Sequence, residues 1–115
     1  MMTVFGIKSC DTCRKTRSFL DARSIDYTFH DLRDDGLDIQ KLERWADKVG
    51  WEQLLNKRSL TWRKIPEADR SDLSRGKALA LMLDNPTLVK RPVIEDDKFT
   101  SVGFSEKRFT AFLDK

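Results

Sequence analysis

The pattern of apolar and polar residues in the first third of the chain predicts a strand, a helix and a second strand. Residues 3–7 are a short run rich in β-branched and aromatic side chains, which is typical of a buried strand. Residues 11–23 contain no Gly or Pro, and their less polar positions fall on one helical arc. Residues 25–31 then alternate apolar and polar side chains, as a half-buried strand does. The opening is therefore predicted to be β-α-β.

The middle of the chain has helical periodicity. After the turn signal at Gly36, apolar residues recur at helical spacing from 39 to 49, and Gly50 is a suitable stop. A further helical piece is expected over 51–56. Another helix is expected from roughly 71 to 83, where the sequence becomes rich in Ala and Leu.

The last quarter returns to strand patterns. Residues 93–95 and 98–102 are strand-like runs that flank two aspartates, which indicates a hairpin, and Ser105 is expected to cap a final helix. The element order is then β-α-β, a helical insertion, and β-β-α. This order predicts an α/β chain with a thioredoxin/glutaredoxin-like core.

Length and charge narrow the class of protein. With 115 residues, the chain is expected to form one domain, whose core comprises residues 1–33 and 91–115 and whose helical insertion comprises residues 34–90. No signal segment or membrane-length apolar run is present, so a cytoplasmic location without membrane contact is expected. The 22 basic residues are interleaved with 19 acidic ones, which favours an ordinary solvated surface over direct nucleic-acid binding.

Two cysteines in a Cys-x-x-Cys spacing are the main chemical feature. Cys10 and Cys13 lie between the first predicted strand and the first predicted helix, where redox motifs of this type occur. The helix N-terminus favours the Cys10 thiolate; Lys8 and Arg14 add positive charge, and Asp11 opposes them. Cys13 lies one turn further on and should be less exposed. It either resolves a mixed disulfide at Cys10 or is a small core residue.

A metal site is the rival interpretation of the cysteine pair. Structural zinc needs about four nitrogen or sulfur ligands, and only His30 remains besides the two cysteines. We therefore expect no metal site. His30 itself, near the end of a strand pattern, is expected to be a structural side chain rather than a catalytic base.

A second cluster surrounds Pro92, which precedes a predicted strand. A cis bond at this proline would hold a tight turn opposite the thiol. Arg91 then either presents its guanidinium to an anion beside Cys10 or lies on the surface as an ordinary arginine.

Basic residues also cluster in the predicted helical insertion. Lys57 and Arg58 lie between Trp51 and Trp62, and Arg63 directly follows Trp62. The cluster is either a solvated face or part of a shallow groove for an anionic ligand.

Several separated motifs resemble those of one known family. They occur in order along nearly the whole chain: Gly6-Ile7-Lys8-Ser9-Cys10-Asp11-Thr12, Gly50-Trp51, Leu54-Leu55-Asn56-Lys57-Arg58, Thr61-Trp62-Arg63-Lys64, Lys90-Arg91-Pro92 and Val102-Gly103-Phe104-Ser105. Together they resemble the ArsC/Spx family, and within it the YffB-like branch. The resemblance implies a thioredoxin-like core with a helical insertion before a cis-proline hairpin.

The resemblance also implies roles for individual residues. Glutaredoxin-linked members of this family reduce arsenate by attack of one cysteine on the oxyanion, with arginines holding it and glutathione completing the cycle. The cysteine carries over to Cys10, and one arginine to Arg91, next to Pro92. Arsenate reductases have arginines at the positions of Asn56 and Phe104, so two oxyanion ligands are missing here.

The first functional hypothesis is a glutathione-dependent thiol/disulfide reductase. Cys10 attacks a disulfide, and Cys13 or glutathione resolves the product. The expected substrate- and glutathione-binding residues are Lys8, Thr12, Arg14, Lys57, Arg58, Arg63, Arg91 and Pro92. No bound cofactor is expected; glutathione is the expected co-substrate, and the expected partners are a protein thiol or disulfide and glutaredoxin.

Two alternatives stay open. One is a glutaredoxin-linked arsenate reductase. The other is an Spx-like, redox-sensing transcriptional regulator that binds RNA polymerase, in which a disulfide acts as a switch without turnover.

Overall fold

The structure of the protein, a computed structural model, describes residues 2–113, with the side chains of residues 109 and 111–113 outside the described set. The chain divides into two compact units, Met1–Asp35 with Arg91–Lys115, and Gly36–Lys90. In chain order the elements are β1 (Met2–Gly6), α1 (Asp11–Ala22), β2 (Tyr27–Asp31), α2 (Ile39–Val49), α3 (Trp51–Leu54), α4 (Leu60–Lys64), α5 (Glu67–Arg70), α6 (Arg75–Asp84), a 3₁₀ turn (Pro86–Leu88), β3 (Val93–Glu95), β4 (Thr100–Val102) and α7 (Glu106–Leu113).

The first unit, which we call the sheet unit, contains a four-stranded sheet in the order β2-β1-β3-β4. β1 runs parallel to β2, while β3 is antiparallel to both β1 and β4. Val4 and Ile94 are paired across the sheet and pack with Met2 and Leu20 in one buried cluster. The β-α-β and β-β-α order confirms the predicted α/β fold.

Strand ends differ slightly from the sequence prediction. β1 spans 2–6 rather than 3–7, because the Ile7 carbonyl accepts the Cys10 N–H and so belongs to the loop. β2 begins at Tyr27 rather than residue 25. β4 begins at 100 rather than 98, because the N–H of Asp96 closes the hairpin turn on the Phe99 carbonyl.

The second unit, residues 36–90, is helical and is called the helical unit. Leu42, Trp45 and Ala46 form the buried face of α2, and Gly50, with a φ of +88°, separates α2 from α3. An isolated antiparallel bridge between Leu55 and Val89 joins the segment after α3 to the segment after the 3₁₀ turn.

The prediction of one helix over 71–83 was wrong at its start. α6 begins at Arg75, because the Ser74 hydroxyl accepts the N–H of Lys77 as an N-cap. Residues 71–74 lie between α6 and the separate short helix α5, which ends at Arg70. The pattern also did not predict α4, which begins after the Ser59 cap. α3 ends at Leu54 rather than residue 56. Among residues 2–113, no helix is both long enough and apolar enough to cross a bilayer.

Candidate active site

Cys10 lies at the N-cap of α1, at the end of the loop that follows β1. Its backbone is extended, with φ −78° and ψ 124°, and its carbonyl accepts the first helical hydrogen bond from Arg14 at 3.0 Å. Its own N–H donates to the Ile7 carbonyl at 3.0 Å, which closes the loop. Cys10 is half-buried, and neither Cys10 nor Cys13 forms a disulfide. The predicted nucleophile therefore faces the positive end of a helix.

The groups around the sulfur favour its ionised form. Burial acts to raise the pKa of Cys10, but the backbone N–H and thiol of Cys13 and the guanidinium of Arg91 hold this pKa below its ordinary value. Arg91 acts both as a nearby positive charge and as a hydrogen-bond donor. The fraction of Cys10 that is thiolate, the reactive form, is therefore larger than for a cysteine with an ordinary pKa at the same pH.

Cys13 has the opposite character. It is 0% exposed on the buried arc of α1. Burial raises the pKa of Cys13 to about 12, and the charge of Cys10 acts in the same direction. The close approach of β1 depends on Gly6, because a Cβ atom there would lie 2.5 Å from the Cys13 sulfur. The motif therefore favours the ionised form of Cys10 and the neutral form of the buried Cys13.

The turn before β3 brings Arg91 to this site. The Arg91–Pro92 peptide bond is cis, and the Pro92 carbonyl accepts the N–H of Gly103 at 2.8 Å. Pro92 is buried, whereas Arg91 is half-buried. The proline thus joins the start of β3 to the loop after β4, with the arginine directed to the Cys10 sulfur.

Lys8 and Arg14, which the sequence places near the thiol, are each paired with a carboxylate. The Lys8 ammonium lies 3.4 Å from the Asp34 carboxylate, and Arg14 pairs with Asp11 one turn away. Each positive charge is thus offset by a carboxylate, and the lowering of the Cys10 pKa comes from Cys13 and Arg91. Thr12 is exposed, and its carbonyl accepts a hydrogen bond from the Thr16 hydroxyl at 2.8 Å.

The sequence analysis missed Asp31, which supports the loop that carries Cys10. This aspartate is 2% exposed, and its carboxylate accepts the backbone N–H groups of Lys8 at 2.9 Å, Arg33 at 2.8 Å and Asp34 at 2.9 Å. Burial acts to raise the pKa of Asp31, but these three donors lower it. The sequence did contain an indication of this role. Asp31 ends the second strand of a predicted β-α-β unit, and the carboxyl ends of parallel strands meet at one edge of a sheet, here beside the Cys10 loop.

The basic residues predicted to bind glutathione from the insertion lie in the helical unit. A cavity of about 320 Å³ is lined by Asn56, Lys57, Arg58 and Lys90, among others. The bridge next to Leu55 brings Lys90 to this cavity, and Lys90 was not predicted. The Lys57 ammonium lies 5.8 Å from the centre of the Trp62 ring, and Arg63 is exposed on α4.

His30 and Phe104 take structural positions in the sheet unit. The His30 ring packs on Phe5, with 5.1 Å between ring centres. Phe104 packs edge-on against Phe19 at 5.5 Å. Within residues 2–113, no group of three or more His, Cys, Asp or Glu side chains is placed to hold a metal ion.

Comparison with known proteins finds a matching family model, similar solved structures and a similar regulator. The ArsC family model matches residues 5–112. The structure of the YFFB protein is 41% identical, with a TM-score of 0.93 over 96% of this chain and 97% of its own. An arsenate reductase (ArsC) related protein from Brucella melitensis is 46% identical, with a TM-score of 0.78 over 99% of this chain and 95% of its own. The global transcriptional regulator Spx of Staphylococcus epidermidis is 31% identical over 98% of this chain and 87% of its own.

Proposed function

Because this chain belongs to the ArsC family, as its motifs predicted, we propose that it is a thiol/disulfide reductase with Cys10 as nucleophile and glutathione as co-substrate. The contrast between its two thiols carries this proposal. Cys10 is half-buried with a lowered pKa, while Cys13 is buried with its pKa raised to about 12. Only the thiolate is a strong nucleophile, so the chemistry begins at Cys10.

The reaction is three successive thiol–disulfide exchanges. The Cys10 thiolate attacks one sulfur of a substrate disulfide, a new disulfide forms at Cys10, and the other half of the substrate leaves as a thiolate. A glutathione thiolate then attacks the substrate sulfur, and Cys10 leaves as a thiolate. A second glutathione reduces the glutathione–substrate disulfide by the same exchange, so two glutathione thiols supply the two electrons.

Glutathione, rather than Cys13, is the better candidate for the resolving thiol. Attack by Cys13 requires deprotonation of a thiol that is 0% exposed, and burial, the largest cause of its raised pKa, persists when Cys10 is in a mixed disulfide. Glutathione in solution has a thiol of ordinary pKa near 8.5 and therefore supplies much more thiolate near neutral pH.

Cationic side chains are suited to bind the two carboxylates of glutathione. We assign this role to Arg91 in the sheet unit, where the guanidinium already faces the Cys10 sulfur. Lys57 and Arg58 are assigned the same chemistry on the evidence of their shared cavity with Lys90 in the helical unit. A charge-assisted contact to a carboxylate contributes roughly 1.5–3 kcal/mol.

Two serine substitutions test this proposal. Cys10→Ser should reduce glutathione-dependent turnover of a small disulfide to the uncatalysed rate, because the nucleophile is lost. Cys13→Ser should keep turnover within about an order of magnitude of wild type, because glutathione resolves the intermediate. Steady-state assays with purified variants measure both. Equal inactivity of the two variants would assign resolution to Cys13, and a wild-type protein without turnover would refute the reductase.

The identity with Spx supports a second candidate, a redox-sensing regulator. Cys10 and Cys13 are both free and occupy the first and fourth positions of one motif, so their oxidation to a disulfide is a natural switch. Such a protein would form the disulfide once and alter its binding to RNA polymerase, the partner that the Spx resemblance implies, without glutathione turnover.

Arsenate reduction is the less favoured activity. A multiply charged oxyanion requires several fixed cationic donors. At the two positions where the family resemblance expects arginine, Phe104 packs on Phe19, and the Asn56 side chain accepts the N–H of Arg58 at 3.1 Å. Arsenate-dependent oxidation of glutathione by the purified protein distinguishes this activity from disulfide reduction.

A further inference from the structure

A groove of about 630 Å³ runs beside α1 in the sheet unit. Phe19 and Phe104 line it and pack edge-on, with 5.5 Å between ring centres. The Arg23 guanidinium lies 4.5 Å from the centre of the Phe19 ring. Ser18 and Ala22, two small residues of α1, also line the groove. The groove therefore offers an aromatic surface that an apolar side chain can contact.

The groove is also positively charged. Arg14, Lys15 and Arg23 line it, against one carboxylate, that of Glu106. Arg14 is also paired with Asp11, and Arg23 donates a hydrogen bond to the Thr110 hydroxyl at 3.4 Å. Lys15 is exposed, so its charge is available to a partner in solution.

The groove begins close to the nucleophile. The N–H of Arg14 donates to the Cys10 carbonyl, so its first lining residue lies one helical turn from Cys10. From Arg14 to Arg23 the helix rises about 13 Å, at 1.5 Å per residue. An extended peptide covers that distance in about four residues, at ~3.3 Å each.

We propose that this groove binds an acidic peptide segment with an apolar side chain, next to a cysteine whose disulfide Cys10 attacks. The inference rests on the proposed reductase and narrows its substrate class to protein disulfides with acidic flanking residues. The excess of positive charge selects the acidic segment, and the Phe19–Phe104 pair selects the apolar residue. Binding in the groove is expected to make Cys10 exchange faster with an acidic peptide disulfide than with other disulfides. The chemical steps stay the same.

The test uses matched peptides that carry one cysteine as a mixed disulfide with thionitrobenzoate. The Cys10 thiolate attacks the peptide sulfur, the Cys10–peptide disulfide forms, and thionitrobenzoate leaves as a coloured thiolate. One peptide has Glu and Phe beside the cysteine, a second has Lys and Phe, and a third has Glu and Ser. Each rate is divided by that of a small neutral disulfide with the same protein, so changes in Cys10 reactivity cancel.

The wild-type protein should react about three- to tenfold faster with the acidic Phe peptide than with the basic one at low salt, and the difference should shrink at high salt. The Glu and Ser peptide should be slower than its Phe counterpart. Lys15→Glu should remove or reverse the preference for acidic residues. Lys98→Glu is the matched control: Lys98 is an exposed lysine in the β3–β4 turn, away from the groove, and its replacement should leave the preference intact.

The outcomes separate this inference from the proposed function. Equal normalised rates for acidic and basic peptides, with normal exchange of the small disulfide, would overturn the groove and leave the reductase standing. Equal effects of Lys15→Glu and Lys98→Glu would also overturn it, because net charge rather than the groove would then set the preference. Competition is the last comparison. If a single-stranded oligonucleotide inhibits exchange with the acidic Phe peptide more strongly than poly-glutamate does, the groove is a nucleic-acid site and the proposal is overturned. Failure to exchange any disulfide would refute the reductase itself.

Discussion

At the scale of single residues, Arg91 is a positive charge that favours the thiolate of Cys10, in addition to the hydrogen bonds from Cys13. Arg91→Ala should raise the pKa of Cys10 towards the ordinary thiol value of ~8.5, because the guanidinium that favours the thiolate is removed. Alkylation by iodoacetamide near neutral pH should slow accordingly. The pH dependence of the alkylation rate gives the pKa directly.

Arg14→Ala is the matched control for this residue. Arg14 is an arginine one turn from Cys10, but its charge is paired with Asp11. Its removal should move the Cys10 pKa less than removal of Arg91 does. Equal shifts in the two variants would show that general positive charge, rather than the contact from Arg91, activates the thiol.

At the scale of elements, Asp31 connects the end of β2 to the loop between β1 and α1. Asn at this position keeps one acceptor oxygen and turns an N–H₂ group towards a backbone N–H, so the contact to Lys8 or those to Arg33 and Asp34 are lost. We expect Asp31→Asn to lower the free energy of unfolding by roughly 1–3 kcal/mol. It should also raise the Cys10 pKa, because a loosened loop no longer keeps the Cys10 sulfur within hydrogen-bond distance of Cys13 and Arg91.

The sign of that pKa change separates two roles of Asp31. Loss of a negative charge alone would lower the pKa of a nearby thiol, whereas loss of loop geometry raises it. Asp35→Asn is the control, since Asp35 accepts the N–H of Asp31 in the same turn without contacting the Cys10 loop. Urea unfolding and iodoacetamide profiles of both variants make the comparison. Amide exchange of Lys8, or of Arg33 and Asp34, should accelerate only in Asp31→Asn.

At the scale of the whole molecule, the shifted groups predict how stability depends on pH. The pKa of Asp31 is lowered in the fold, so its contribution is present above the unfolded value of ~3.9 and is lost as pH falls through the folded pKa. Cys13 has the opposite sign: its folded pKa is about 12, so stability falls as pH rises from ~8.5 to that value. Cys10, with a lowered pKa, has the same sign as Asp31: its contribution is fully present above the unfolded value of ~8.5 and is lost as pH falls through its folded pKa.

Urea unfolding under reducing conditions across this pH range checks the prediction. Wild-type stability should decline on both the acid and the alkaline side. Cys13→Ala should flatten the alkaline decline, and Asp31→Asn the acid one. An unchanged alkaline decline in Cys13→Ala would show that Cys13 is not the group responsible.

The sequence by itself determined those features that act within a few residues. The change from strand to helix periodicity located Cys10 at the start of α1, and the helical arc placed Cys13 inside, because both follow from neighbours one turn away. The Cys-x-x-Cys spacing, the family motifs and the β-α-β and β-β-α order were likewise readable, since each is a local pattern or an ordered set of them.

Only the tertiary structure decided which distant groups act on the thiol. The family motif named Arg91 as a candidate, but its effect on the distant Cys10 thiol required the fold. Asp31 reaches Lys8 because β1 and β2 pair in parallel with Gly6 opposite Asp31. The starts of α4 and α6 depended on Ser59 and Ser74 acting as caps. The pairing of Lys8 and Arg14 depended on which carboxylates lay beside them. Such contacts depend on strand register and chain packing, which span many residues, so no local pattern contains them.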